Sequence, residues 1–133
     1  MIKILDTNVC IQLWQRKNFT VRRYFVQYSP ADIALCSVVK AELLFGALRS
    51  EQKEGNLQLL QNLFAPLQSF EFDDTAAEHY AQIRMDLTTQ GKLIGANDLM
   101  IAAIARANKA TLITHNTDEF SRVQGLQIED WEI

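Results

Sequence analysis

The chain is poor in most residues that announce a specialised class. It has only two cysteines and two histidines in 133 residues. Cys10 and Cys36 show neither CxxC spacing nor a nearby pair of histidines, which argues against a zinc site. Both thiols are expected to be reduced core fillers. The longest strictly apolar run, Leu99 to Ala105, falls far short of the roughly 20 residues of a membrane span. No secretory leader is read either, because Lys3, Ile4 and Leu5 give way at once to Asp6. Together these absences lead to the expectation of a cytoplasmic protein. A basic excess is also missing, the net charge being −3. Any grip on nucleic acid therefore has to come from a local cluster of cations. The GxSxG, GxGxxG, P-loop and HExxH patterns are absent, so serine-nucleophile, nucleotide-cradling and zinc-protease chemistries lose their support.

What is present is a globular composition, 48% hydrophobic and 22% charged, at a length that fits one domain, residues 1–133. The opening residues, Met1 to Leu5, read as a buried strand with Asp6 at its carboxyl end. Thr7 and Asn8 are placed to cap a helix over Val9–Trp14. A second helix covers Asn18–Tyr28, with Arg22 and Arg23 on its wet side, and Ile33–Cys36 is a second strand. Ser37 is expected to cap a helix over Val38–Leu48, whose apolar stripe runs through Val38, Ala41, Phe45 and Leu48 with Glu42 beside it. A loop is expected within Gly46–Gly55, then a helix marked by Leu57, Leu60, Leu63 and Phe64. Leu67–Phe72 alternates like a strand, and Thr75-Ala76-Ala77-Glu78 has the capping-box form at the head of a helix stopped by Gly91. An almost wholly apolar helix over Leu99–Asn108, a strand over Ala110–Thr114 and a short strand near Leu126–Ile128 complete the chain. Strands alternating with helices predict an α/β fold of three layers, α/β/α, around a central, mostly parallel sheet of four to five strands.

Parallel strands place their carboxyl ends on one edge, where open α/β sheets bind ligands. Asp6, Asp98 at a helix start, and Asp118 or Glu119 in the turn after another strand are expected to meet there. Glu42, next to a buried face, needs a partner of its own. Carboxylates brought that close repel unless a cation neutralises them, and divalent ions held by oxygen are the usual answer. The histidines are weaker candidates. His79 falls opposite an apolar stripe, toward solvent, and His115 reads as a neutral turn residue rather than a general base.

Four stretches in order then resemble the PIN-domain ribonucleases, and within them the VapC toxins of bacterial toxin–antitoxin systems. They are Leu5-Asp6-Thr7-Asn8, Ala41-Glu42-Leu43 with Gly46-Ala47, Gly95-Ala96-Asn97-Asp98 running into Leu99–Ala103, and Thr114-His115-Asn116-Thr117-Asp118-Glu119-Phe120. The likeness reaches the closing Glu129-Asp130-Trp131. It implies Asp6, Glu42 and Asp98 as ligands of Mg²⁺ or Mn²⁺, with Glu119, or Asp118 in its place, as a fourth catalytic acid. Thr7, Asn8, Asn97, Thr114 and Asn116 are implied as supporting polar groups. A VapB antitoxin, a homodimer that assembles further with the antitoxin, and an RNA substrate follow from the same resemblance. Arg16, Lys17, Arg22, Arg23 and Lys92 are candidates to hold the RNA backbone. Trp14, Phe19, Phe25, Leu44 and Phe45 are candidates for an antitoxin groove. The rival readings are a catalytically silent module of this fold that binds RNA or protein, and a receiver-like phosphotransfer domain. The latter lacks the mid-chain strand-end Asp and the strand-end Lys it needs.

Overall fold

The computed structural model describes residues 1–15 and 18–133. Five short strands, β1 (Lys3–Leu5), β2 (Ile33–Cys36), β3 (Gln68–Phe70), β4 (Thr111–Ile113) and β5 (Gln127–Glu129), form one sheet in the order β3-β2-β1-β4-β5. Every pairing is parallel, with Lys3 opposite both Ile33 and Thr111, Ala34 opposite Gln68, and Thr111 opposite Gln127. The helices are α1 (Thr7–Gln15), α2 (Phe19–Val26), α3 (Ser37–Arg49), α4 (Lys53–Phe64), α5 (Asp74–Thr89), α6 (Ala96–Ala107) and the single turn α7 (Thr117–Phe120). The chain moves outward from β1 through β2 to β3, then crosses to β4 on the other side of β1. Right-handed crossovers therefore put α1–α4 over one face and α5–α6 over the other. The order reverses between β1 and β4, which is where a parallel sheet opens a crevice at its carboxyl edge.

The core explains this arrangement. All four residues of β2 are buried, as are Ile4 and Leu5 of β1 and the whole of β4, which is how strands covered on both faces read. The helix α6 buries Leu99 and Ile101–Ala105, so it is enclosed nearly all round. Its small alanines allow close approach to α5, which presents Ala76, Ile83 and Leu87. Trp131 is fully buried and stacks on the rings of Tyr24 and Tyr28, at centroid distances of 5.8 and 5.6 Å. That stacking ties the last residues to α2 and the turn after it. Cys10 and Cys36 are both buried and unbonded, as expected. Among the described residues no helix is long and apolar enough to cross a membrane.

Several local expectations are corrected. The strand β1 passes into α1 with only Asp6 between, so Thr7 and Asn8 are helical residues rather than caps, and the Asp6 carboxylate takes the Thr7 amide. Cys36, not Ser37, holds the cap position of α3. The face that α3 buries is Val39, Leu43 and Ala47, whereas Ala41, Phe45 and Leu48 are exposed. Apolar residues stand on both sides of this helix, so spacing by threes and fours fits either row. The loop expected within Gly46–Gly55 is present as residues 50–52, with both glycines inside helices. Asp73 caps α5 by accepting the Ala76 amide at 2.9 Å. The helix thus begins before the expected capping box, and Glu78 is exposed with no capping role. His79 is half-buried and accepts a hydrogen bond from Arg106 Nε at 2.9 Å, rather than facing solvent.

Candidate metal centre

Each acid is delivered by a different element to the crevice beside β1 and β4. Asp6 ends the central strand and is only 7% exposed. Its Oδ1 accepts the Thr7 amide at 2.8 Å and its Oδ2 accepts the Thr114 hydroxyl, also at 2.8 Å. Burial raises its pKa, and those two donors oppose the rise. Thr114 is itself held, since its hydroxyl accepts the Asn116 amide at 3.0 Å. Glu42 sits in the second turn of α3, where burial raises its pKa, the Thr7 hydroxyl lowers it and the Asp6 charge raises it again. No aligned hydrogen bond forms there: Thr7 Oγ1 and Glu42 Oε1 are buried without a partner.

Asp98 lies in the first turn of α6, where the helix dipole favours a negative charge. Even so its carboxyl is pushed up to about 6, by burial first and then by the charges of Asp6, Glu119 and Glu42. Its carboxyl also comes within hydrogen-bonding reach of Glu119. Glu119 on α7 is half-buried and accepts from Asn116 Nδ2 at 3.1 Å. Asp118, one residue earlier, turns outward, with its side chain 96% exposed and 3.7 Å from Arg122. The expected acids Asp6, Glu42, Asp98 and Glu119 are therefore brought together electrostatically, and Asp118 is not among them.

Among the described residues, no Lys or Arg forms an ion pair with any of these four. Converging like charges with an unpartnered buried oxygen and no internal cation fit an oxygen-liganded divalent ion. The acids do not close a cage: among the described residues no three His, Cys, Asp or Glu side chains converge tightly enough to enclose an ion. An ion that keeps several of its waters, as Mg²⁺ does, needs no such cage.

The supporting groups differ in placement. Thr114, Asn116 and Thr7 lie among the acids, whereas Asn8 and Asn97 are exposed. Asn97 does share a pocket of about 370 Å³ with Glu42, lined also by Val38, Phe45 and Met100. Arg22, Arg23 and Lys92 are exposed, and Arg16 and Lys17 lie outside the described residues. His115 is exposed in the turn after β4, as expected. Its Nδ1 lies 3.0 Å from Asp130 and 3.9 Å from Glu132, and these carboxylates raise its pKa. One cation was not anticipated at all: Arg122, whose i,i+4 spacing from Asp118 was the available signal.

Trp14 and Phe25 line a groove of about 360 Å³ with Leu13, Val26, Leu59 and Leu63. Phe19, Leu44 and Phe45 do not line this groove; they are exposed, Phe19 and Phe45 at 76% and 61%.

A parallel sheet with acids gathered at its switch point defines the class of metal-assisted phosphodiester chemistry open to such a crevice. The comparisons agree, for the PIN domain family matches residues 3–126, and the chain belongs to that family. Within it, this chain falls among the VapC ribonucleases. It is 38% identical to the tRNA(fMet)-specific endonuclease VapC of Shigella flexneri over 96% of each chain, and 35% identical to Ribonuclease VapC2 of Haemophilus influenzae, again over 96% of each. In structure it resembles VapBC2 from Rickettsia felis bound to a promoter DNA fragment, with a TM-score of 0.92, 34% identity and coverage of 98% of this chain and 99% of that one. DNA-bound VapBC from Salmonella typhimurium gives the same TM-score and identity, over 98% of both chains.

Proposed function

We propose that this protein, one PIN domain over residues 1–133, is a metal-dependent endoribonuclease and the toxin of a VapBC-type pair. Cleavage of RNA in the cytoplasm then halts translation. The observation that carries the reading is the convergence of Asp6, Glu42, Asp98 and Glu119, whose burial and like charges together raise Asp98 to about 6, with no Lys or Arg among the described residues paired to them. Asp6, Glu42 and Asp98 would hold Mg²⁺ or Mn²⁺, with Glu119 as the fourth acid; an all-oxygen donor set favours these ions. When bound, such an ion supplies Lewis acidity, which acidifies water and offsets phosphate charge.

The chain's own groups do the positioning. Thr7 N and Thr114 Oγ1 fix the Asp6 carboxylate on a rigid strand, leaving its remaining lone pairs toward the crevice. Glu42 contributes an oxygen that nothing in the protein occupies. Asn116 orients Glu119. No side-chain nucleophile is required.

The partner in this reading is a VapB-type antitoxin, seated in the apolar groove between α1, α2 and α4. Leu44, Phe45 and Leu48 form an exposed apolar face on α3 of the kind that association covers, in keeping with a homodimer and a larger assembly with the antitoxin.

The test is cleavage of RNA by the purified protein with Mg²⁺, Mn²⁺ or chelator. Cleavage that needs the ion and is lost in Asp6→Asn and Asp98→Asn supports the reading. Metal-dependent cleavage near the wild-type rate by either variant would overturn it.

A further inference from the structure

A crevice holding four carboxylates, in a chain of net charge −3, repels the polyanion it is read as cutting. Cations close to the acids have to hold the RNA there. Most described cations are committed or distant. Lys3 pairs with Glu129 at 2.8 Å, Lys40 lies over the ring of Phe64 and Arg84 over Tyr80. Arg49 packs on Phe45 in the last turn of α3, and Lys53 opens α4 flanked by Glu51 and Glu54. Arg106 is held by His79, Gln82 and the Gln124 carbonyl in the last turn of α6, with Lys109 just beyond. Arg22 lines the apolar groove.

Two cations stand on the very segments that deliver acids. Lys92 lies in the loop that runs into Asp98, and Arg122 follows Glu119 by three residues. Arg122 Nη1 donates to the Lys92 carbonyl at 3.3 Å, joining the two segments. Between them is a cleft of about 460 Å³ lined by Gly91, Lys92, Asp118, Ser121 and Arg122. Gly91 has φ +68 and open space where a side chain would stand, so one wall is bare backbone. The acid in the cleft, Asp118, is 96% exposed and only 3.7 Å from Arg122, a weak pair that a phosphate can replace.

We propose that this cleft is a phosphate-binding subsite on the RNA path, with Lys92 and Arg122 as its cations and Asp118 as a carboxylate that fills it when RNA is absent. The subsite rests on the ribonuclease reading, and it fixes the side of the acid cluster along which the strand continues.

The test measures binding of a fluorescent single-stranded RNA oligonucleotide to the Asp98→Asn protein by anisotropy, across salt concentrations from about 50 to 200 mM. Lys92→Gln and Arg122→Gln are each expected to weaken binding several-fold and to reduce the slope of log affinity against log salt by about 0.7. Asp118→Asn is expected to tighten binding, which loss of a merely structural contact would not do. Arg122→Lys keeps the charge and is expected to retain the slope, separating charge from the bond to the Lys92 carbonyl. Unchanged slopes in both glutamine variants, or weaker binding by Asp118→Asn, overturn the subsite. Wild-type cleavage with Mg²⁺ is scored separately: cleavage with unchanged slopes removes the subsite alone, and no cleavage removes the ribonuclease reading.

Discussion

The Thr114 hydroxyl donates to Asp6 Oδ2 at 2.8 Å across 108 residues of sequence, fully buried between β1 and β4. It also accepts the Asn116 amide, so one side chain couples the central acid to the turn that carries Glu119.

Thr114→Val keeps the volume and removes the donor. The change leaves a buried carboxylate and a backbone amide each short of a partner, a loss of about 1–3 kcal/mol. Outer partners of this kind typically contribute about 10–100-fold to metal affinity or rate. Metal titration of the cleavage rate is expected to show that loss, and Thr114→Ser to restore most of it. Equal rates in Val and wild type would remove the coupling.

The acid cluster sets a pH dependence of the metal-free protein. Asp98 binds its proton up to about 6 when folded, against 3.8 for an ordinary aspartate. Between those values the folded state holds a proton that the unfolded chain has released, so stability falls as pH rises through this window. Asp6 and Glu42, also raised, act in the same sense. His115, raised by Asp130 and Glu132, contributes stability below its ordinary pKa that fades as pH climbs past its folded value. Glu129, held low against its burial by Lys3 and Trp131, acts oppositely, but only at and below its ordinary value of 4.5, outside the interval from pH 5 to 7.5. Metal-free protein is expected to melt at higher temperature near pH 5 than near pH 7.5, with Mg²⁺ closing the gap, by about 2–8 °C. A metal-free melting temperature that climbs over that interval contradicts the sign.

Asp98→Asn is expected to separate stability from activity. Removing one of the mutually repelling charges raises the metal-free melting temperature, while the cleavage rate drops by about 10²-fold or more. Calorimetry and a cleavage assay on the same preparation check both halves. A variant that is both less stable and fully active would show that no repulsion is stored there.

Trp131→Ala removes the ring that stacks on Tyr24 and Tyr28 and is expected to cost about 3–5 kcal/mol by denaturant unfolding. Trp131→Phe, which retains a ring, should recover more than half of it. Loss confined to the last few residues, with the global transition unmoved, would show that the stacking is local.

The strands were readable because β1, β2 and β4 are short apolar runs stopped by polar residues, and their parallel order follows from alternation with helices. The acids were readable because strand ends and helix starts share one edge. The inward face of α3 was not readable: Val39, Leu43 and Ala47 and the outer row of Ala41, Phe45 and Leu48 have equivalent spacing, and only the neighbouring helices choose between them. The cap of α5 was missed for a related reason, since Asp73 and Thr75 are both good capping residues two positions apart. The carboxylates beside His115 were not foreseen because Asp130 and Glu132 come from beyond the last strand, a contact that no local pattern encodes.

Cys10 and Cys36 stand within the field of these acids, and both thiols are shut away from water. Burial, aided by the Asp6 charge, lifts the Cys36 thiol to about 11 and the Cys10 thiol higher still. A sulfur that keeps its proton neither captures thiophilic metals such as zinc or copper(I) nor reacts readily with alkylating agents. Two sulfurs thus lie within the field of the acids without joining their chemistry, because the same burial that holds their protons also denies a metal access to them.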